Sequence, residues 1–160
     1  MKENDKSEKQ AAGHPKKRGN NRGARRRSRE FVIKGIYQWL ISGADYASID
    51  AMAREDESFE SADAELYAEL MHGVLTNFQD LEETYIPYID REPKLLSPIE
   101  RSILLLGTYE LKNSPQTPYR VVINEAVELA KSFGGTDGYR YVNGVLDKLV
   151  PVLREFELKN

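Results

Sequence analysis

The sequence predicts an all-α domain of seven helices, and three observations carry this prediction. From about residue 26 onward, apolar residues recur three and four positions apart, which is the spacing of one face of a helix. No stretch shows the alternation of apolar and polar residues that is typical of a strand. Recognisable start and stop signals also divide the second half of the chain into helix-sized segments.

The first four predicted helices lie between residues 26 and 87. Helix 1 covers about 26–42, and a short acidic helix follows near 46–55. Two further helices precede Pro87, where the fourth is expected to stop. The apolar faces of helices 1, 3 and 4 are formed by Val32, Ile36 and Leu40, by Leu66, Leu70 and Val74, and by Phe78, Leu81, Tyr85 and Ile86.

The fifth helix has a strong start signal in Ser97-Pro98-Ile99-Glu100. Ser97 can cap the first turn, Pro98 suits the first helical position, and Glu100 can reach back to the amide of the cap. This helix is expected to end at about residue 113.

The sixth and seventh helices complete the predicted domain. Thr117-Pro118 starts the sixth helix, and Gly134-Gly135 ends it. The seventh covers about 136–154, because its apolar period continues across Pro151, near which we expect a bend.

Basic residues are concentrated at the N-terminus of an acidic chain. Residues 1–30 contain eleven Lys or Arg and four Asp or Glu, a net charge of +7; the whole chain carries −3, so the remainder carries −10. Residues 1–24 have no periodic apolar face, and they are predicted to be a disordered basic extension of a folded domain over 25–157. The extension either contacts a polyanion or serves only for solubility.

Composition also excludes several classes of protein. The chain has no cysteine, which excludes disulfides, zinc–thiolate sites and a thiol nucleophile. Its longest apolar run, Ile103–Leu106, is far shorter than the ~20 residues of a membrane span. No apolar segment follows the N-terminal charges, so a signal peptide is not expected. We therefore expect a cytoplasmic protein with no membrane partner.

No set of catalytic residues can be assembled, so we expect that the protein is not an enzyme. His14 lies in the extension, and His72 stands alone in a helix. The glycines of 134–138 lack the Lys-Ser/Thr pair of a phosphate-binding loop. The acidic residues of 55–69 follow no metal-ligand pattern, and they form a solvated face or a dock for a basic partner. We predict neither a cofactor nor a metal site.

Two segments carry side chains of the kinds that bind RNA. Arg25-Arg26-Arg27-Ser28-Arg29 adjoins the first helix, and guanidinium groups bind phosphates and stack on bases. The second segment flanks the Gly134-Gly135 turn. It contains Lys131, Phe133, Tyr139, Arg140 and Tyr141. These rings either stack on single-stranded bases or simply pack beneath the turn.

Longer motifs carry a family resemblance. Residues 123–134, continuing with 141–147, closely resemble the C-terminal signature of the NusB family. Residues 25–30, followed by Tyr37, resemble its N-terminal arginine motif, and Glu100-Arg101 and Tyr109-Glu110-Leu111 fit its middle. The resemblance covers about 25–155, with a looser match over 43–65. Tyr141 stands where the family often has phenylalanine, and the 24-residue extension is unusual.

The resemblance implies two packed three-helix bundles with one helix between them. It implies a transcription antitermination factor that binds the boxA element of ribosomal RNA leader transcripts together with NusE, a small-subunit ribosomal protein. The complex would join other Nus factors on RNA polymerase, and a homodimer is an open alternative. The competing functions are a NusB-like module of the ribosomal RNA methyltransferase type and a protein-interaction scaffold with a solubilising tail.

The resemblance also assigns site residues by position. Contact with NusE is assigned to Tyr88 and Glu100, although the helix cap also explains Glu100. Contact with RNA is assigned to Arg25, Arg26, Arg27, Arg29, Tyr37, Lys131, Phe133, Asp137, Arg140, Tyr141 and Asn143.

Overall fold

The computed structural model describes residues 22–134 and 137–159 of the chain. Most of the predicted basic extension, residues 1–21, lies outside this part. Residues 22–24, which we assigned to the extension, instead form the first turn of helix α1, Arg22–Ser42. Ala24 is buried, and its carbonyl accepts hydrogen bonds from Ser28 Oγ at 3.1 Å and from the amide of Asp63 at 3.3 Å. The helix therefore starts early because its first turn packs against the start of the third helix.

The predicted all-α class is confirmed, and the described residues contain no strand. Eight α-helices are present there, one more than predicted, because a single turn follows Arg154. Short 3-10 helices cover Glu57–Ser61, Ile86–Tyr88 and Pro93–Leu95. After α1, the helices are α2 Tyr46–Glu55, α3 Ala64–Thr76, α4 Phe78–Tyr85, α5 Pro98–Asn113, α6 Tyr119–Phe133, α7 Gly138–Leu153 and α8 Glu155–Leu158.

Local signals explain where several helices begin and end. Asp45, Asp63 and Ser97 cap α2, α3 and α5, each accepting a hydrogen bond from a first-turn amide at 2.8–3.1 Å. Gly43 follows α1 with a positive φ of 70°, the left-handed conformation in which a helix commonly ends. α7 continues through Pro151 and ends two residues later.

The helices form two three-helix bundles that share a core. α1, α2 and α3 make the first bundle, α5, α6 and α7 make the second, and α4 lies between them in the chain. α5 also packs against α1, α3 and α4, and its residues 102–108 are all buried. This helix is therefore the central element, and it joins the apolar side chains of both bundles into one cluster.

Two buried arginines tie other helices to the last turn of α5. Arg29 of α1 pairs with Glu110. Arg154, which is fully buried after α7, donates to the carbonyls of Leu111 at 2.7 Å, Ser114 at 2.9 Å and Glu110 at 3.1 Å. These carbonyls are ones that a helix end leaves without an intrahelical partner, so Arg154 acts as a side-chain cap. Arg154 also pairs with Glu157 of α8.

The α-helices of the described residues range from 4 to 21 residues in length. Across residues 22–134 and 137–159, none is both long and apolar enough to cross a bilayer.

Candidate nucleic-acid interface

The four arginines of the predicted RNA motif do not share one face of α1. Consecutive helical residues are about 100° apart, so the run turns around the axis. Arg27 is exposed and lies 3.5 Å from Glu30, while Arg25 and Arg26 are half-buried. Arg29 points inward. The motif therefore divides into three solvent-accessible cations and one internal cation.

Arg29 was predicted to contact RNA, but the structure places it in the interior. Its Nε donates to Glu110 Oε1 at 2.7 Å and its Nη2 to Oε2 at 2.9 Å, and the two side chains are 5% and 3% exposed. A guanidinium closed from water and engaged edge-on by a carboxylate has no open face for RNA. Its role in this fold is to join α1 to α5.

Arg26 forms a second bidentate pair, this time near the surface. Its Nε and Nη2 donate to the Glu125 carboxylate of α6 at 3.0 and 2.7 Å. The Arg26 side chain remains 42% exposed while that of Glu125 is 11% exposed. The hydrogen bonds from Arg26 lower the pKa of Glu125, and its burial acts in the opposite direction. Arg26 thus presents only its outer edge to solvent.

Two predicted RNA residues from distant segments meet at one cleft. Tyr37 of α1 and Phe133, the last residue of α6, both line a cleft of about 420 Å³ beside the arginine helix. Ile99 at the start of α5 and Met52 of α2 add apolar walls, and Lys34 adds a cation. Since 37% of Tyr37 is exposed, a planar ligand can reach its ring.

A second group of rings and cations surrounds Tyr139 in the first turn of α7. Lys131 Nζ lies 5.0 Å from the centre of its ring, and Arg140 Nε donates to its hydroxyl at 3.1 Å. Asp137 is exposed immediately before this helix, and Asn143 is half-buried farther along it. The neighbouring residues 135–136 of the predicted glycine turn lie outside the described part of the chain.

Tyr141 lies on the other side of α7, because two residues correspond to about 200° of helical rotation. Its hydroxyl donates to Asp90 Oδ1 at 3.0 Å, and the Arg91 guanidinium lies 4.8 Å from the centre of its ring. The predicted second RNA segment is therefore split between two faces. Sequence reasoning missed Arg91, which belongs to an irregular loop and is a neighbour of Tyr141 only in space.

The two residues predicted to contact NusE lie near this second face. Tyr88 is half-buried in a 3-10 helix and packs against the core. Glu100 is also half-buried, and its amide donates to Ser97 Oγ at 3.1 Å, as the cap prediction requires. Its carboxylate faces the start of α7, where a Cβ added to Gly138 would lie 2.9 Å from Oε2. A carboxylate in this position is favourable to the helix dipole, so Glu100 already has a structural role.

Histidine, aspartate and glutamate are the common metal-binding side chains that this cysteine-free chain contains. Within the described ranges, no three or more of them are grouped so as to hold a metal ion. His72 lies edge-on to Tyr46, with 6.2 Å between the ring centroids.

The fold and this surface define a class of protein: two packed helical bundles whose exposed cations and rings are of the kind that bind nucleic acid. The chain belongs to the NusB family, whose pattern matches residues 26–151. It is 52% identical over 146 residues to the transcription antitermination protein NusB of Bordetella pertussis, covering 89% of this chain and 95% of that protein. It is 54% identical over 134 residues to that of Paraburkholderia xenovorans, covering 84% and 93%.

Solved structures give the same fold. NusB of T. maritima superposes with a TM-score of 0.71 at 27% identity, covering 82% of this chain and 96% of that one. A crystal structure of antitermination factors NusB and NusE in complex with double-stranded RNA superposes with a TM-score of 0.69 at 18% identity, covering 79% and 96%. The predicted arrangement of two three-helix bundles is therefore confirmed.

Proposed function

We propose that this protein is a transcription antitermination factor that binds the boxA RNA of ribosomal RNA leader transcripts together with NusE. In this role it promotes processive transcription of ribosomal RNA by RNA polymerase, in a complex with other Nus factors. The single observation that carries the RNA-binding part is the meeting of the arginine helix with the end of α6. There, Tyr37 and Phe133 line one cleft together with the exposed cation Lys34.

Each part of this surface suits a different part of an RNA strand. Arg25, Arg27 and the outer edge of Arg26 attract phosphates, and Lys131 and Arg140 extend this charge to the start of α7. The rings of Tyr37 and Phe133 suit unstacked bases, which single-stranded RNA offers and a duplex does not. Asp137 and Asn143 supply polar groups for base edges. Arg29 has no place in this set because it is buried.

The protein partner is assigned to the region of Tyr88 and Glu100. A protein of the same fold has been solved with NusE and RNA, which supports a partner of that kind here. Glu100 is available for such a contact because its cap uses the backbone amide and leaves the carboxylate half-exposed. Self-association through the RNA surface would compete with RNA binding.

RNA binding by fluorescence anisotropy tests the proposal directly. The RNA is either boxA or a scrambled sequence, and each is titrated with and without NusE. We expect tighter binding to boxA, strengthened by NusE, and a loss of affinity in Tyr37→Ala and Arg27→Ala. Lys159→Ala is the matched charge control, since Lys159 is exposed and pairs with the nearby Glu155. If the protein instead binds both RNAs equally weakly, with a strong salt dependence and no effect of NusE, it is a nonspecific polyanion binder and the proposal is wrong.

We also infer that the protein acts by binding and not by catalysis. The relatives to which it is 52% and 54% identical are transcription antitermination proteins, which supports this inference. Incubating boxA RNA with the protein, with and without Mg²⁺, should leave the RNA intact. Protein-dependent cleavage that survives repurification would overturn this inference.

A further inference from the structure

The loop between α4 and α5 lies against the side of α7 that carries Tyr141. Arg91 of this loop forms two hydrogen bonds with the Asp90 carboxylate. Its Nε donates to Oδ1 at 2.6 Å, and its Nη2 donates to Oδ2 at 3.1 Å. The Tyr141 hydroxyl donates to the same Oδ1 at 3.0 Å and accepts from the Asp90 amide at 3.4 Å. The three side chains therefore form one connected group.

This group places the Arg91 guanidinium over an aromatic ring. The Arg91 Cζ lies 4.8 Å from the centre of the Tyr141 ring, within the range of cation–π attraction. The Arg91 side chain is nevertheless 42% exposed, so the guanidinium has a ring beneath it and solvent on its outer side. The hydrogen bonds from Arg91, followed by that from Tyr141, lower the pKa of Asp90 to about 2, so the carboxylate stays charged and keeps its hold at neutral pH.

We propose that Arg91 contacts RNA directly, and that its guanidinium plane, fixed on Tyr141 by Asp90, is the stacking platform for one unpaired base. Guanidinium planes and aromatic rings are both surfaces on which bases of single-stranded RNA stack. This inference rests on the proposed RNA-binding function and adds a residue to it.

The geometry favours a base over a phosphate as the ligand of Arg91. A phosphate is best bound by the fork of N–H groups, but Asp90 already occupies two of these donors. The Asp90 charge also opposes an approaching anion. The outer face of the guanidinium is left for a neutral, flat ligand. Because Asp90 and Tyr141 hold the Arg91 side chain in place before the ligand arrives, less side-chain entropy is lost on binding.

Tyr141 has a specific function in this arrangement. Its ring supports the guanidinium from below, while its hydroxyl anchors the carboxylate that aligns Arg91. A phenylalanine at this position would keep the ring and lose the anchor. The alignment of the stacking platform therefore depends on the Tyr141 hydroxyl as well as on its ring.

Three variants in the full chain test the proposal by anisotropy with boxA RNA. Arg91→Ala and Arg91→Lys should both weaken binding, by about 5-fold to 100-fold, because stacking on a planar group is lost even when the charge is kept. Tyr141→Phe should weaken it less, because the ring remains. The slope of log affinity against log salt should stay unchanged in Arg91→Lys. Lys94→Ala is the control, since Lys94 belongs to the same loop, is 76% exposed and makes no ring contact.

The outcomes separate this inference from the proposed function. If wild type prefers boxA while Arg91→Ala binds equally well, Arg91 only anchors its loop and the inference is overturned alone. If Arg91→Lys retains wild-type affinity while Arg91→Ala loses both affinity and about 0.7 of the salt slope, Arg91 binds a phosphate and the stacking role is wrong. If wild type shows no preference for boxA, the proposed function fails. The same variants on an unstructured uridine oligomer still decide the inference, because stacking tolerates any base.

Discussion

The buried pair of Arg29 and Glu110 gives the sharpest test of the division between internal and RNA-facing arginines. Replacing Arg29 with methionine keeps much of its volume but leaves the Glu110 carboxylate, 3% exposed, without its cation. Removing one partner of a buried ion pair costs about 3–5 kcal/mol. For a domain of this size, that loss lowers the melting temperature by about 10–20 °C.

Urea unfolding followed by tryptophan fluorescence measures this change. Trp39 is the only tryptophan of the chain, and it packs edge-on against Phe78 with 4.7 Å between the ring centroids. Its emission therefore reports on the packing between α1 and α4. Arg27→Met is the matched control, because Arg27 is exposed, and its free energy of unfolding should change by less than about 0.5 kcal/mol.

A double variant distinguishes the loss of the ion pair itself from the cost of leaving the buried Glu110 charge without its cation. Arg29→Met combined with Glu110→Leu removes both charges, and we expect it to regain most of the stability lost in the single variant. If Arg29→Met unfolds at the same urea concentration as wild type and instead loses affinity for boxA RNA, the internal role of Arg29 is refuted. The predicted RNA contact would then be restored.

Three further predictions concern other contacts of the fold. The pKa of Glu125 is lowered in the folded state, so its charged form stabilises the fold above the ordinary glutamate pKa, and this stabilisation is lost as the pH falls. When the pH is lowered from about 6 to about 3, the free energy of unfolding should therefore fall less in Glu125→Gln than in wild type, as measured by urea titrations. Arg154→Met should lower the free energy of unfolding by about 3 kcal/mol or more by orphaning buried carbonyls, and a melting temperature equal to that of wild type would contradict the capping role. Gly73→Ala should cost about 1–3 kcal/mol by thermal melts, because its Cβ would meet the Tyr109 ring at 2.3–2.4 Å, whereas Gly144→Ala, with open space around it, should gain about 0.5–1 kcal/mol.

The helices were predictable because the signals that fix them are local. Ser97 and Pro98 mark the start of α5 within four residues of sequence, and the structure places the cap there. The early start of α1 was missed, since Ala24 is buried by the start of α3, a contact between residues about forty apart in the chain. The turn of α8 was missed because it follows Arg154, whose partners lie on α5.

The site was less predictable than the fold for the same reason. The helical rotation alone indicates that four consecutive arginines cannot share a face, but only Glu110 decides that Arg29 is the internal one. The convergence of Tyr37 with Phe133 joins segments nearly a hundred residues apart. Arg91 lies in a loop without periodicity, so nothing in its neighbourhood of sequence links it to Tyr141.

The last turn of α5 receives contacts from both ends of the folded domain, and this affects how the domain is completed during translation. Arg29 reaches it across 81 residues from one direction, and Arg154 reaches it across 40 to 44 residues from the other. A nascent chain that has emerged only as far as residue 150 contains the whole of α5 but not the arginine that closes its end. Contacts of such sequence separation form slowly compared with local ones. The end of α5 is therefore completed only after nearly all of the folded domain has been synthesised.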